Sequence, residues 1–147
     1  MRASPMALGD RQGAVILDTN VVSEVMRENP HPRVVRWLRA TPSFVLTAVG
    51  VAEIRYSLAR MPAGRRRETL VAKLDQVLAA GPMPLAFDEA AATTYGPLRA
   101  QREAAGRAMT VEDCMIASMA LSRGLPLATR NTRDFAGLGL ALVNPWD

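Results

Sequence analysis

Cysteine, histidine and lysine are nearly missing from this chain. Its 147 residues include one of each: Cys114, His31 and Lys73. A single cysteine excludes an internal disulfide and a thiolate zinc site, and it suits a reducing cytoplasm. A single histidine, set among prolines at the start of a helix, reads as a surface residue. Aromatics are also few, with three phenylalanines, two tyrosines and two tryptophans. A base-stacking platform is therefore not the main way this chain would hold nucleic acid. No apolar run approaches the roughly 18 residues of a membrane span, so no membrane partner is expected. Residues 1–13 lack an apolar core and carry Asp10, so they read as a loose leader rather than a signal peptide.

What is present describes a globular protein. The chain is 49% hydrophobic and 22% charged, with a formal net charge of +4. Its length suits one domain, residues 14–147, with a sizeable core. Seventeen of its eighteen cationic residues are arginine. A planar guanidinium fits phosphate. A polyanionic partner explains that bias, and so does genomic base composition.

Apolar runs alternate with amphipathic ones. Strands are expected at residues 14–18, 44–46, 84–87, 125–129 and 140–143. Helices are expected at 21–27, from Pro32 through Leu38, at 48–60, 65–80, from the Asp88 cap to about Ala105, and at 111–123. A turn or short helix is expected at 131–135. Thr47 and Thr110 read as helix caps. Strands separated by helices predict an α/β fold, a parallel sheet sandwiched by helices.

Four acids stand where a core does not want them. Asp18 follows the strand Val15-Ile16-Leu17, and carboxyl ends of strands are where ligands bind in such sheets. It also reads as a turn residue. Glu53 lies in a helix that is apolar nearly all round and so expected to be buried, where a lone carboxylate costs several kcal/mol. Arg55 or Arg60 could pair with it. Asp113 sits among Met109, Ile116 and Ala117, and Thr110-x-x-Asp113 also reads as a capping box. Asp134 lies in the polar cluster Thr129 to Asp134, where a turn or an ion pair with Arg130 or Arg133 would account for it.

Strands carrying Asp18 and Thr129 side by side would bring these acids to one edge. At about 4 Å and an effective dielectric near 20, each carboxylate pair repels by roughly 4 kcal/mol. Something positive must offset that. An all-oxygen ligand set selects a hard cation, Mg2+ or Mn2+. On a basic protein this suggests phosphodiester hydrolysis, with Arg130 and Arg133 placed to hold phosphate.

The motifs Ile16-Leu17-Asp18-Thr19-Asn20-Val21-Val22-Ser23-Glu24, Val51-Ala52-Glu53-Ile54-Arg55-Tyr56, Glu112-Asp113-Cys114-Met115-Ile116-Ala117, Leu127 to Phe135 and Leu142-Val143-Asn144-Pro145-Trp146 follow one another in this order. Together they resemble the PIN-domain family of metal-dependent ribonucleases, specifically VapC-type toxins of the FitB-like subgroup. The resemblance implies that Asp18, Glu53, Asp113 and Asp134 form an acidic quartet, with Thr19, Asn20, Thr129 and Asn131 in support. It implies an RNA substrate, a homodimer and a cognate antitoxin. In that subgroup the antitoxin often carries a ribbon-helix-helix part, which would assemble the pair on operator DNA, and a tail that blocks the active site. The chain departs from the family pattern in its longer leader and in Ala108, where a proline often follows Gly106-Arg107.

Other classes fit less well. A haloacid-dehalogenase phosphatase wants an aspartate at the position of Asn20. A receiver domain wants a lysine near its last strand, and Lys73 is in mid-chain. No Gly-Lys-Ser/Thr phosphate loop exists. A non-catalytic RNA- or partner-binding module, with the acids as caps, remains the alternative. The run Arg65-Arg66-Arg67 reads either as an RNA-backbone contact or as a solvated helix face.

Overall fold

Three-residue Val15–Leu17 (β1) is the centre of the molecule, and its alternation sets two cores. The computed structural model describes residues 13–147, so the leader expected at 1–13 lies outside the described residues apart from Gly13. Ile16 faces one core with Val45, Leu127 and Phe135. Leu17 faces the other with Leu46 and Ala128. A strand buried on both faces needs a near-continuous apolar run, as this one has.

The element order continues with α1 (Thr19–Val25), α2 (Pro32–Ala40), β2 (Phe44–Val45), α3 (Ala48–Arg60), α4 (Arg65–Ala80), α5 (Glu89–Ala104), α6 (Val111–Arg123), β3 (Leu127–Ala128), a 3-10 turn (Thr132–Phe135) and β4 (Leu142–Val143). The sheet is wholly parallel in the order β2-β1-β3-β4. Residues of α5 and α6 fill the core of Ile16, and residues of α1 through α4 fill that of Leu17. This is the sandwiched parallel sheet that the sequence predicts. No helix among the described residues is long and apolar enough to cross a membrane.

Helix starts follow their caps. Thr47 accepts from Gly50 N, Asp88 from Ala91 N and Thr110 from Asp113 N. His31 is exposed and caps α2 through Nδ1. Cys114 is fully buried, a small core residue.

The structure corrects three expectations. The strand expected at 84–87 is one parallel bridge, Thr47 to Leu85. Helix α1 starts at Thr19 rather than Val21, because the Asp18 carboxylate accepts the Thr19 N–H and caps it there. Helix α3 is not buried all round: only Gly50, Ile54 and Leu58 are, while Tyr56 is 64% exposed. Apolar content alone did not say which face meets the core.

Candidate active site

Register places the site. Leu17 pairs with Ala128, so Asp18 and Thr129 leave adjacent parallel strands side by side, and Asp18 N donates to Ala128 O at 2.9 Å. Thr129 is fully buried. Its hydroxyl donates to Asp18 Oδ2 at 2.9 Å and accepts from Asn20 Nδ2 at 3.2 Å and from Asn131 N at 3.1 Å. That uses its one proton and both lone pairs. Asn20 is held in turn, since its Oδ1 accepts from Arg130 N at 3.2 Å. Asn131 joins the network only through its backbone N–H.

Glu53 arrives from the first turns of α3. Neither arginine considered from sequence pairs with it: Arg55 bonds Asp75 at 2.7 Å, and Arg60 lies over the Tyr56 ring. Its partner is Thr19, whose hydroxyl donates to Glu53 Oε1 at 3.1 Å. Glycine at position 50 leaves room for the Thr47 hydroxyl that caps α3 and that accepts from Gly50 N at 2.9 Å. A Cβ there would stand 3.2 Å from the Thr47 hydroxyl and 3.7 Å from that of Thr19.

Asp18, Glu53 and Asp113 line one open cleft of about 760 Å³, together with Arg27, Arg66 and Arg130. Asp134 lies beyond it, in a smaller cleft that shares Asp113. Among the described residues none of the four acids has a cation within ion-pair distance, which removes the ion pair considered for Asp134.

Burial is the main cause that raises the carboxyl of Asp18, opposed by Thr129 and Thr19. Burial also leads for Glu53, with Asp18 and Asp113 adding repulsion against the Thr19 bond. For Asp113 burial is followed by Asp18. Asp134 contributes repulsion to Asp18 and Asp113. The acids therefore sense one another as charges. Among the described residues no three of them converge on one point as a ready chelating set. Their chemistry still fits a hard divalent cation: all are oxygen donors, Asp18, Glu53 and Asp113 are buried or half-buried while Asp134 is exposed, and none has a paired cation among the described residues.

Sequence reasoning left Arg66 between two readings and gave Trp146 and Arg102 no role in the site. Arg66, from the arginine triplet that also reads as a solvated face, lines the acidic cleft. Trp146 lines it too, and its ring carries the Arg130 guanidinium at 5.1 Å. Arg102 is buried at 7% exposure. It donates from Nη2 to Asp134 O at 3.0 Å and from Nη1 to Ala136 O at 2.9 Å. It thus ties the 3-10 turn that carries Asp134 to α5. An arginine late in a polar helix gives no sequence sign of this. Arg102→Met keeps the stem but leaves two carbonyls short of a donor, at about 1–3 kcal/mol each. Urea unfolding is expected to show a loss of roughly 2–6 kcal/mol; an unchanged midpoint would mean that the turn holds itself.

A family model described as PIN domain matches residues 15–139. The VapC ribonuclease Y4jK of Sinorhizobium fredii is 39% identical over 137 residues, covering 90% of this chain and 98% of that protein. The toxin FitB of Neisseria gonorrhoeae is 36% identical over 137 residues, with the same coverage of 90% and 98%. The crystal structure of FitAcB from Neisseria gonorrhoeae superposes with a TM-score of 0.82 at 35% identity, covering 90% of this chain and 98% of that one.

Proposed function

The chain belongs to the PIN domain family, and from that premise we propose that it is an Mg2+- or Mn2+-dependent endoribonuclease, the toxin of a type II toxin–antitoxin pair. One observation carries the reading: Asp18, Glu53 and Asp113 come from three separate elements to line a single cleft, and among the described residues no cation pairs with any of them. The names of its relatives, a VapC ribonuclease and a toxin, support it.

Asp18, Glu53, Asp113 and Asp134 would hold the ion. A bound divalent ion supplies a water of lowered pKa and a charge that offsets the phosphodiester. The chain's own residues do the rest. Thr129 and Asn20 hold Asp18 Oδ2 in place, and Thr19 does the same for Glu53. Arg130, steadied on Trp146, and Arg133 hold phosphate oxygens by paired N–H donors. Asn131 orients the Thr129 hydroxyl through its N–H.

The partners follow from the same reading. A groove of about 740 Å³, lined by Met26, Ile54, Leu58 and Leu70, shares Ser23, Arg27 and Arg66 with the acidic cleft. An antitoxin segment laid in it would end at the acids. A homodimer, assembled with its antitoxin on operator DNA, completes the proposal.

The separation of the acids favours a second reading, a non-catalytic binding module with the carboxylates as caps. Cleavage of a mixed RNA pool by partner-free protein decides between them. Cutting with Mn2+ and none with EDTA is expected; no cutting in either would leave only the second reading. Thr129→Val tests the supporting shell. It keeps the shape but loses the hydroxyl, and Mn2+ affinity measured by calorimetry is expected to fall about 10–100-fold.

A further inference from the structure

Asp113 faces two clefts. One is the acidic cleft with Arg27, Arg66 and Arg130. The other, about 370 Å³, is lined by Arg102, Arg107, Arg133, Thr110, Asp113 and Asp134 among its residues. The acids thus lie between two groups of arginines.

The second cleft is built by local backbone chemistry. Helix α5 ends at Ala104 with Ala105 as its C-cap, and Gly106 takes φ +69°, a left-handed conformation that favours glycine. The turn returns Arg107 N to Arg102 O at 2.9 Å, which sets Arg107 beside the buried Arg102. From there its guanidinium reaches the chain after the 3-10 turn. A Cβ built on Gly137 would lie 3.7 Å from Arg107 Nη1.

The arginines differ in what they have left to give. Arg102 spends its Nη donors on the carbonyls of residues 134 and 136. Arg107 and Arg133 are exposed and, among the described residues, form no ion pair, although two carboxylates line the same cleft. Two uncommitted guanidinium forks beside the acids match an anionic phosphodiester.

We propose that this second cleft binds the phosphodiester of a nucleotide flanking the cut, with Arg107 and Arg133 as its ligands. The substrate is then single-stranded RNA lying across both clefts. At about 370 Å³ the cleft is at the low end for a small-molecule site, a size for one nucleotide unit rather than a longer segment. The inference rests on the ribonuclease reading above. It adds a site that the acids, and the phosphate contacts of Arg130 and Arg133, did not by themselves require.

The test uses the full chain with Asp18→Asn in every variant, so that RNA stays intact. The probe is a labelled single-stranded RNA of random sequence, titrated at several salt concentrations. Arg107→Ala is expected to weaken binding by on the order of tenfold and to flatten the log–log salt dependence by about 0.7, the share of one phosphate contact on a single strand. Adding Arg133→Ala should flatten it by about as much again. Arg39→Ala removes an equal charge from a position lining neither cleft and is expected to leave the slope unchanged. On the catalytic background Arg107→Ala should raise KM and leave kcat and Mn2+ affinity as they were. An unchanged slope in Arg107→Ala, or an equal change in Arg39→Ala, overturns the cleft. So does an Arg107→Ala protein that loses only its antitoxin, which would assign the cleft to a protein partner. Wild-type protein that cuts no RNA with Mn2+ sinks the ribonuclease reading itself, and the two failures are distinct.

Discussion

Asp18→Asn is expected to reduce RNA cleavage by about a hundred- to a thousandfold, a loss of the size seen when one group that stabilises transition-state charge is removed. The protein is expected to remain folded. Asparagine has the same shape, sits at the same helix cap and keeps one of the two acceptor oxygens that Thr19 N and Thr129 Oγ1 now use. Losing the other costs about 1 kcal/mol, and relief from a buried charge beside Glu53, Asp113 and Asp134 offsets it. Metal-free Asp18→Asn should therefore be at least as stable as wild type near neutral pH.

The pH dependence gives that expectation a sign. Burial raises the carboxyls of Asp18, Glu53 and Asp113 above their ordinary values near 3.8 and 4.5. Between those values and the raised ones the folded state binds more protons than the unfolded state. Stability from these groups is present at acid pH and is lost as pH rises through the raised pKa values. The stability of Asp18→Asn relative to wild type should grow from acid to neutral pH in EDTA. Urea unfolding at several pH values measures this. A variant that cuts RNA at the wild-type rate would remove Asp18 from the site.

Mn2+ is expected to stabilise the wild-type protein by about 2.7 kcal/mol when free metal is 100 times its dissociation constant. For a chain of this length that raises Tm by roughly 5–11 °C. The physical source is the repulsion described above: a cation converts mutually repelling carboxylates into a shared ligand set. The response should shrink as pH falls, because protonated carboxyls do not bind metal. It should also collapse in Asp18→Asn. Thermal unfolding with Mn2+ and with EDTA reads both effects. A Tm that ignores millimolar Mn2+ would mean that the acids are helix caps and surface charges, as the non-catalytic reading holds.

Much of the fold was legible because its signals are local. Helices α3, α4 and α6 begin and end where the sequence places them, since Thr47 and Thr110 cap two of them and Pro62 with Gly64, Gly81-Pro82 and Gly124 interrupt the chain. Strand ends were less legible. The apolar runs 125–129 and 140–143 pair only over Leu127–Ala128 and Leu142–Val143, because a ladder extends only where a neighbour is in register. At residues 84–87 only Leu85 finds one, against Thr47. On α3, Ala52 belongs to the run that reads as apolar nearly all round, yet it is exposed, as is Tyr56; which face of an apolar helix is covered depends on what packs against it.

The acids follow the same division. Each is marked in the sequence by its setting: Asp18 after a strand, Glu53 and Asp113 in apolar helical runs, Asp134 in a polar turn. Their residue types and the oxygen-only chemistry they imply belong to the sequence alone. Their meeting does not. The hydroxyl of Thr129 reaches Asp18 across 111 positions of chain, and Thr19 reaches Glu53 across 34. Buried Arg102 finds its carbonyl partners 32 and 34 residues on, at Asp134 and Ala136. Arg66 stays between an RNA contact and a solvated face, and Arg107 looks like any exposed arginine, until α4 and the end of α5 are packed beside the acids. Local sequence sets what each segment becomes and which groups it carries. Which groups face one another depends on strand register and helix packing, energies shared among residues far apart in the chain, and these only the tertiary structure decides.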